Sequence, residues 1–157
     1  MNLSAQMAKH FSEVFFGGNW TSVNLKQTLE GVNWQQATTQ LHGFNSIATL
    51  VYHIHYYVSV VKKVLEGEAL NASDKYSFDL PPITSAAGWN SLLDKVWSDA
   101  TAFAGLVEQL PEQKTGEIFA DEKYGTYYRN IHGIIEHTHY HLGQITLIKK
   151  MLSATNG

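Results

Sequence analysis

The sequence has no cysteine in its 157 residues. That excludes a disulfide framework, thiolate metal ligands and a cysteine nucleophile, and it agrees with a reducing compartment. Any metal would have to be held by histidine, aspartate or glutamate. Positive charge is also scarce. Eleven lysines and arginines against 14 acidic residues leave a formal charge of -3, with no basic run and no cationic cluster interleaved with aromatics. This balance disfavours a nucleic-acid partner. No uninterrupted apolar run reaches the roughly 20 residues of a membrane span, and MNLSAQMAKHFSEVFF lacks the cationic start, apolar centre and small-residue cleavage site of a secretory signal. No membrane partner is expected, and the chain reads as cytoplasmic.

What is present is helical periodicity. The length and a 44% hydrophobic content suit one domain over residues 1–157. Residues 4–16 place Met7, Phe11 and Val14 on one side and stop at Gly17-Gly18, and a second helical piece is expected over 20–31. The segment VNWQQATTQLHGFNS reads as polar and turn-rich, with Asn45 or Ser46 available to cap the next helix. Over residues 46–66, Leu50, His53, Tyr57, Val60, Val61 and Val64 share one helical face. EGEALNASDKYSFDLPPITS then forms a long crossover ending in a cap at Ser85. Residues 86–110 carry Trp89, Leu93, Val96, Ala100, Phe103 and Val107 at alternating intervals of four and three, and a last helix is expected over 127–152. With no strand pattern, these elements predict an all-α protein. It is a four-helix bundle with one helix broken near its C-terminal end, in which sites form between facing helices.

The last helix holds the densest chemistry. NIHGIIEHTHYHLGQITLIKK, residues 130–150, contains four of the eight histidines, three of them alternating at His137, His139 and His141. Ile131, Ile134, Ile135, Leu142, Ile145 and Ile148 recur at helical spacing, so the alternation does not mark a strand. At about 100° per residue, His137 and His141 lie about 40° apart while His139 points to the far side. Two imidazoles converging from adjacent turns are costly to protonate together and call for distinct acceptors or a shared cation. His53, on the inward face of another helix, supplies a third nitrogen, and three protein ligands plus an open position is the usual catalytic zinc arrangement. Asn130, Tyr140 and Gln144 flank the pair and are candidates for orienting ligands or substrate. His42, in the loop before the His53 helix, is a candidate for a pocket mouth. His10, His55, His132 and His139 read as solvated or interface histidines. Glu136 and His139 spell one E-x-x-H, but the di-iron pattern needs a second such motif and further inward glutamates, which are missing.

The stretches SIATLVYHI, ending at His53, and EHTHYHLGQI, carrying His137 and His141, resemble the ligand motifs of the DinB-like, or YfiT-like, metal-dependent hydrolase family, over nearly the whole chain. The resemblance implies an up-down-down-up four-helix bundle, in keeping with the long crossover. It also implies a divalent metal, zinc or nickel, on those three histidines with water completing the sphere, and a homodimer. Characterised members of that family include bacillithiol S-transferases and a mycothiol-dependent maleylpyruvate isomerase, so a small-molecule substrate and a low-molecular-weight thiol are the implied partners.

Two functions stand as expectations. One is a metal-dependent thiol S-transferase or hydrolase, in which the cation acts as a Lewis acid and lowers the pKa of bound water or thiol. The other is a non-catalytic stress-response bundle in which the metal only ties helices together. Haem storage fits less well, because two histidines on adjacent turns of one helix do not suit opposed axial ligation.

Overall fold

The computed structural model describes residues 2–155. Met1 and residues 156–157, the two ends of the expected domain, lie outside the described residues. Among the described residues, six α-helices and three short 3-10 turns make up the secondary structure, with no strand and only an isolated bridge between Ile118 and Thr126.

Each long helix begins where a short polar side chain satisfies a free first-turn N–H. α1 (Leu3–Phe16) is capped by Asn2, whose Oδ1 accepts from Ala5 N, and it stops at Gly17, whose φ of 115° suits glycine. α4 (Ile47–Leu65) starts at Ser46, α5 (Ala86–Glu108) at Ser85, and α6 (Tyr127–Thr155) behind Thr126, whose Oγ1 accepts from Arg129 N at 3.2 Å. The two short helices between α1 and α4 depart from expectation. The helix expected over 20–31 contracts to α2 (Leu25–Leu29), because buried Asn19 ties residues 19–23 into a loop. Its amide donates to the Glu13 and Val23 carbonyls, and its Oδ1 accepts from Thr21 N and Oγ1. α3 (Trp34–Thr38) lies inside the segment read as turn-rich, nucleated by a reciprocal Asn33–Gln36 capping box.

α1 and α4 each pack against both α5 and α6. The core between them centres on fully buried Phe11, Phe15 and Phe103, with ring centroids 4.5 Å (Phe11–Phe15) and 4.4 Å (Phe11–Phe103) apart. On α5 the buried stripe is Trp89, Leu92, Val96, Ala100, Phe103 and Val107, with Leu93 only partly buried. Leu92 and Leu93 flank the stripe at similar angles, so periodicity alone does not say which packs deeper.

For function the α4–α6 pair matters most. The two helices run antiparallel, since Leu50 shares a cavity with Gln144 and Met151 while Val61 shares one with Arg129 and His137. The crossover between α4 and α5 folds back over this pair. Tyr56 Oη donates to the Ser73 carbonyl at 2.9 Å and accepts from Ser73 N at 3.0 Å, and Tyr57 Oη donates to Asp74 Oδ1 at 3.0 Å. These bonds bring Ser77 and Phe78 against His53.

Candidate metal centre

His53 sits two turns into α4, and His137 and His141 face it from α6. His137 Nε2 lies 3.0 Å from His53 Nε2 and 3.1 Å from His141 Nε2. The three ligand atoms fall within 4.8 Å of one another. Asn130 donates its amide to the Tyr124 and Thr126 carbonyls at the start of α6 and lines a cavity beside His137.

The outer nitrogens fix the inner ones. The Ser77 carbonyl can only accept, so His53 Nδ1, 3.3 Å away, carries the proton and Nε2 carries a lone pair. Gln144 Oε1, 2.7 Å from His141 Nδ1, does the same for His141. His137 Nε2 lies between these two lone pairs. A proton there can serve one neighbour, which leaves the other nitrogen–nitrogen contact unsatisfied among neutral rings. A divalent cation satisfies all three at once. Two nitrogens about 2.1 Å from a common cation lie about 3.0 Å apart at a right angle and about 3.4 Å apart at the tetrahedral angle, and the two separations to His137, 3.0 and 3.1 Å, fall at the near end of that range. The donor set therefore fits a metal, and the cluster's full span of 4.8 Å has only to draw in by some tenths of an ångström for three nitrogens to reach one cation at about 2.1 Å.

The electrostatics favour neutral rings. Burial, then repulsion from His141 and His53, pushes His137 down to about 4. His53 is lowered by burial and by His141, against a smaller opposing effect of the Ser77 carbonyl. His141 is lowered by burial, partly offset by its bond to Gln144. Neutral imidazole is the form that ligates.

Aromatic rings wall the cluster. Phe78 stacks on His53 at 3.8 Å with planes 10° apart, and Tyr57 stands edge-on to both His53 and His137. Tyr140, 65% exposed, lies edge-on to His141 at 4.9 Å. Two cavities flank the histidines along the α4–α6 groove. One, about 450 Å³, is walled by Phe44, Leu50, Leu147, Ile148 and Met151 and touches Gln144, while the other, about 270 Å³, touches His137 itself.

The remaining histidines lie outside the cluster. His139 turns away from it toward His10 of α1, ring centroids 6.3 Å apart. His132 faces Glu136 on the surface of α6 at 4.0 Å. His42 is exposed in a left-handed turn, and its neighbours Gly43, Phe44 and Asn45 form the cavity wall. His55 is not a solvated residue, because its Nε2 meets Asp99 Oδ2 of α5 at 2.7 Å, with Lys62 3.5 Å from the other carboxylate oxygen. Sequence reasoning misses Ser77 and Phe78. Ser77 acts through its backbone carbonyl, which leaves no side-chain signal, whereas an aromatic residue amid turn formers at position 78 is a readable cue.

Comparison of the chain with family models, curated proteins and solved structures returns no match. No helix among the described residues is long and apolar enough to cross a membrane.

Proposed function

We propose that the chain is a divalent-metal protein of the DinB-like class, binding zinc or nickel through His53, His137 and His141. On this reading it acts as a thiol S-transferase or hydrolase on a small molecule, with a low-molecular-weight thiol as partner, and works as a cytoplasmic homodimer. The observation that carries the proposal is the outward anchoring of His53 and His141 to acceptors, which turns their lone pairs inward toward His137. What a bound divalent cation supplies is Lewis acidity, enough to bring water or a thiol toward its anion near neutral pH.

The chain's own residues do the rest. Ser77 and Gln144 hold two tautomers, Phe78 shields one imidazole face from water, and the two cavities leave room for ligands on either side of the cluster. A merely structural site has no use for a cavity against a ligand ring, which favours the catalytic reading over the stress-response bundle. The up-down-down-up arrangement is supported by the starts of α4 and α5 lying together. α3 packs against both, and Trp89 Nε1 donates to the Val32 carbonyl at 2.9 Å. Parallel neighbours of this kind need a long crossover.

The test is a screen of thiols paired with electrophilic acceptors, using metal-free, zinc-loaded and nickel-loaded protein. Metal-dependent consumption of the acceptor, abolished in His137→Ala, is expected. Equal rates with and without metal would overturn the enzymatic reading.

A further inference from the structure

The 270 Å³ cavity beside His137 has a wall that packing does not explain. Tyr57, Arg129, Asn130, Gly133, Ile134 and His137 are among its lining residues. Gly133 lies in the interior of α6, and a Cβ built there meets no atom within 4 Å. Glycine in a helix interior costs about 1 kcal/mol relative to alanine, so the usual cause, close approach of another element, does not account for it. Position 133 thus presents bare helix backbone to the cavity, with open space beside it.

Arg129 is the only arginine in the sequence. Its stem packs over Gly125, where an added Cβ would fall 2.8 Å from Arg129 Cδ and where φ is 74°. Its guanidinium forms no ion pair among the described residues, although Lys9, Lys62 and Lys114 all do. An exposed fork of donors at a cavity edge, without an ion pair among the described residues, matches a carboxylate bidentately.

We infer that this cavity is a ligand subsite for a small carboxylate-bearing molecule, its acid group on Arg129 and its other end against His137. The inference rests on the reading of the histidine cluster as a metal centre. A guanidinium fork matches carboxylate and phosphate alike, but no second cationic side chain among the described residues lines this cavity, so the charge it balances is a single one, which a carboxylate carries. Arg129 and His137 are eight residues apart, about 12 Å of helix rise, so a ligand that engages both is extended.

The test uses two thiols of equal length, 6-mercaptohexanoate and 6-mercaptohexanol, titrated calorimetrically into zinc-loaded protein. The acid is expected to bind about tenfold more tightly than the alcohol. Arg129→Gln should remove that difference while leaving the alcohol's affinity unchanged. Gly133→Leu should weaken both thiols, with Gly133→Ala as a milder variant, while zinc affinity measured by chelator competition stays constant. Equal binding of the two thiols to the wild type, or a difference that survives Arg129→Gln, would overturn the subsite. If the protein takes up no zinc, the metal reading fails by itself. The subsite is then decided on metal-free protein by NMR, where hexanoate but not hexanol should shift the Gly133 amide, and the absence of that shift would overturn it.

Discussion

Replacing Gln144 with leucine keeps a side chain of similar bulk and removes the acceptor for the His141 Nδ1 proton. That bond is 2.7 Å long, the shorter of the two that orient the cluster, the other being the 3.3 Å contact of His53 with Ser77. In the variant, neutral His141 is free to place its proton on Nε2, where it cannot ligate, and its ring loses its rotational anchor. Losing such an outer partner of a metal-bound histidine typically costs about 10- to 100-fold in affinity, equivalent to about 1.4 to 2.7 kcal/mol. Gln144→Glu keeps an acceptor at the same reach, and its charge strengthens the bond, so zinc affinity should be retained or increased. Competition of both variants against a chromophoric chelator at pH 8 measures the dissociation constants, and circular dichroism establishes that each is folded. Unchanged affinity in Gln144→Leu, or an equal loss in both variants, would refute the tautomer argument.

Chelator competition should also rank the histidines, with His137→Ala and His141→Ala losing more affinity than either Gln144→Leu or His139→Ala, because His139 faces His10 of α1. Acid should destabilise the metal-free fold. His137 has its folded pKa pushed below the usual 6.5 to about 4, so the unfolded chain binds more protons between those values. The associated stability is present above about pH 6.5 and is lost as the pH falls toward 4; melting temperatures from pH 8 to 4 check this, and a flat profile would contradict it. In the loaded protein the cation competes with the same protons, so metal release should accompany acidification, as dialysis and subsequent metal analysis would read. Away from the site, Phe103→Ala removes a fully buried ring from the central aromatic cluster and should cost about 3 to 5 kcal/mol in urea unfolding.

The histidine geometry is legible in the sequence because helical periodicity overrides the visual alternation of His137, His139 and His141. The 100° step puts His139 on the opposite side, and the structure places it there. The pairing of His53 with α6 rests on the inward face it shares with Leu50. What periodicity does not carry is anything made by the backbone or by long-range docking. The Ser77 carbonyl that orients His53 comes from 24 residues away, and the Asp99 partner of His55 from 44. The helix at Trp34–Thr38 escapes a periodicity reading because five residues make little more than one turn, and its only sequence mark is the Asn33–Gln36 capping box. In the same way, the Asn19 loop that shortens α2 depends on four bonds of one buried side chain, which composition does not reveal.

The central claim is that three imidazoles share one divalent cation and leave a position open. X-ray absorption on the zinc-loaded protein counts those ligands directly. Three imidazole nitrogens at about 2.0 to 2.1 Å together with at least one non-histidine light atom are expected, with one zinc per chain and loss of the imidazole scattering in His53→Ala. A shell without imidazole, or a zinc content and spectrum unchanged in His53→Ala, would contradict it.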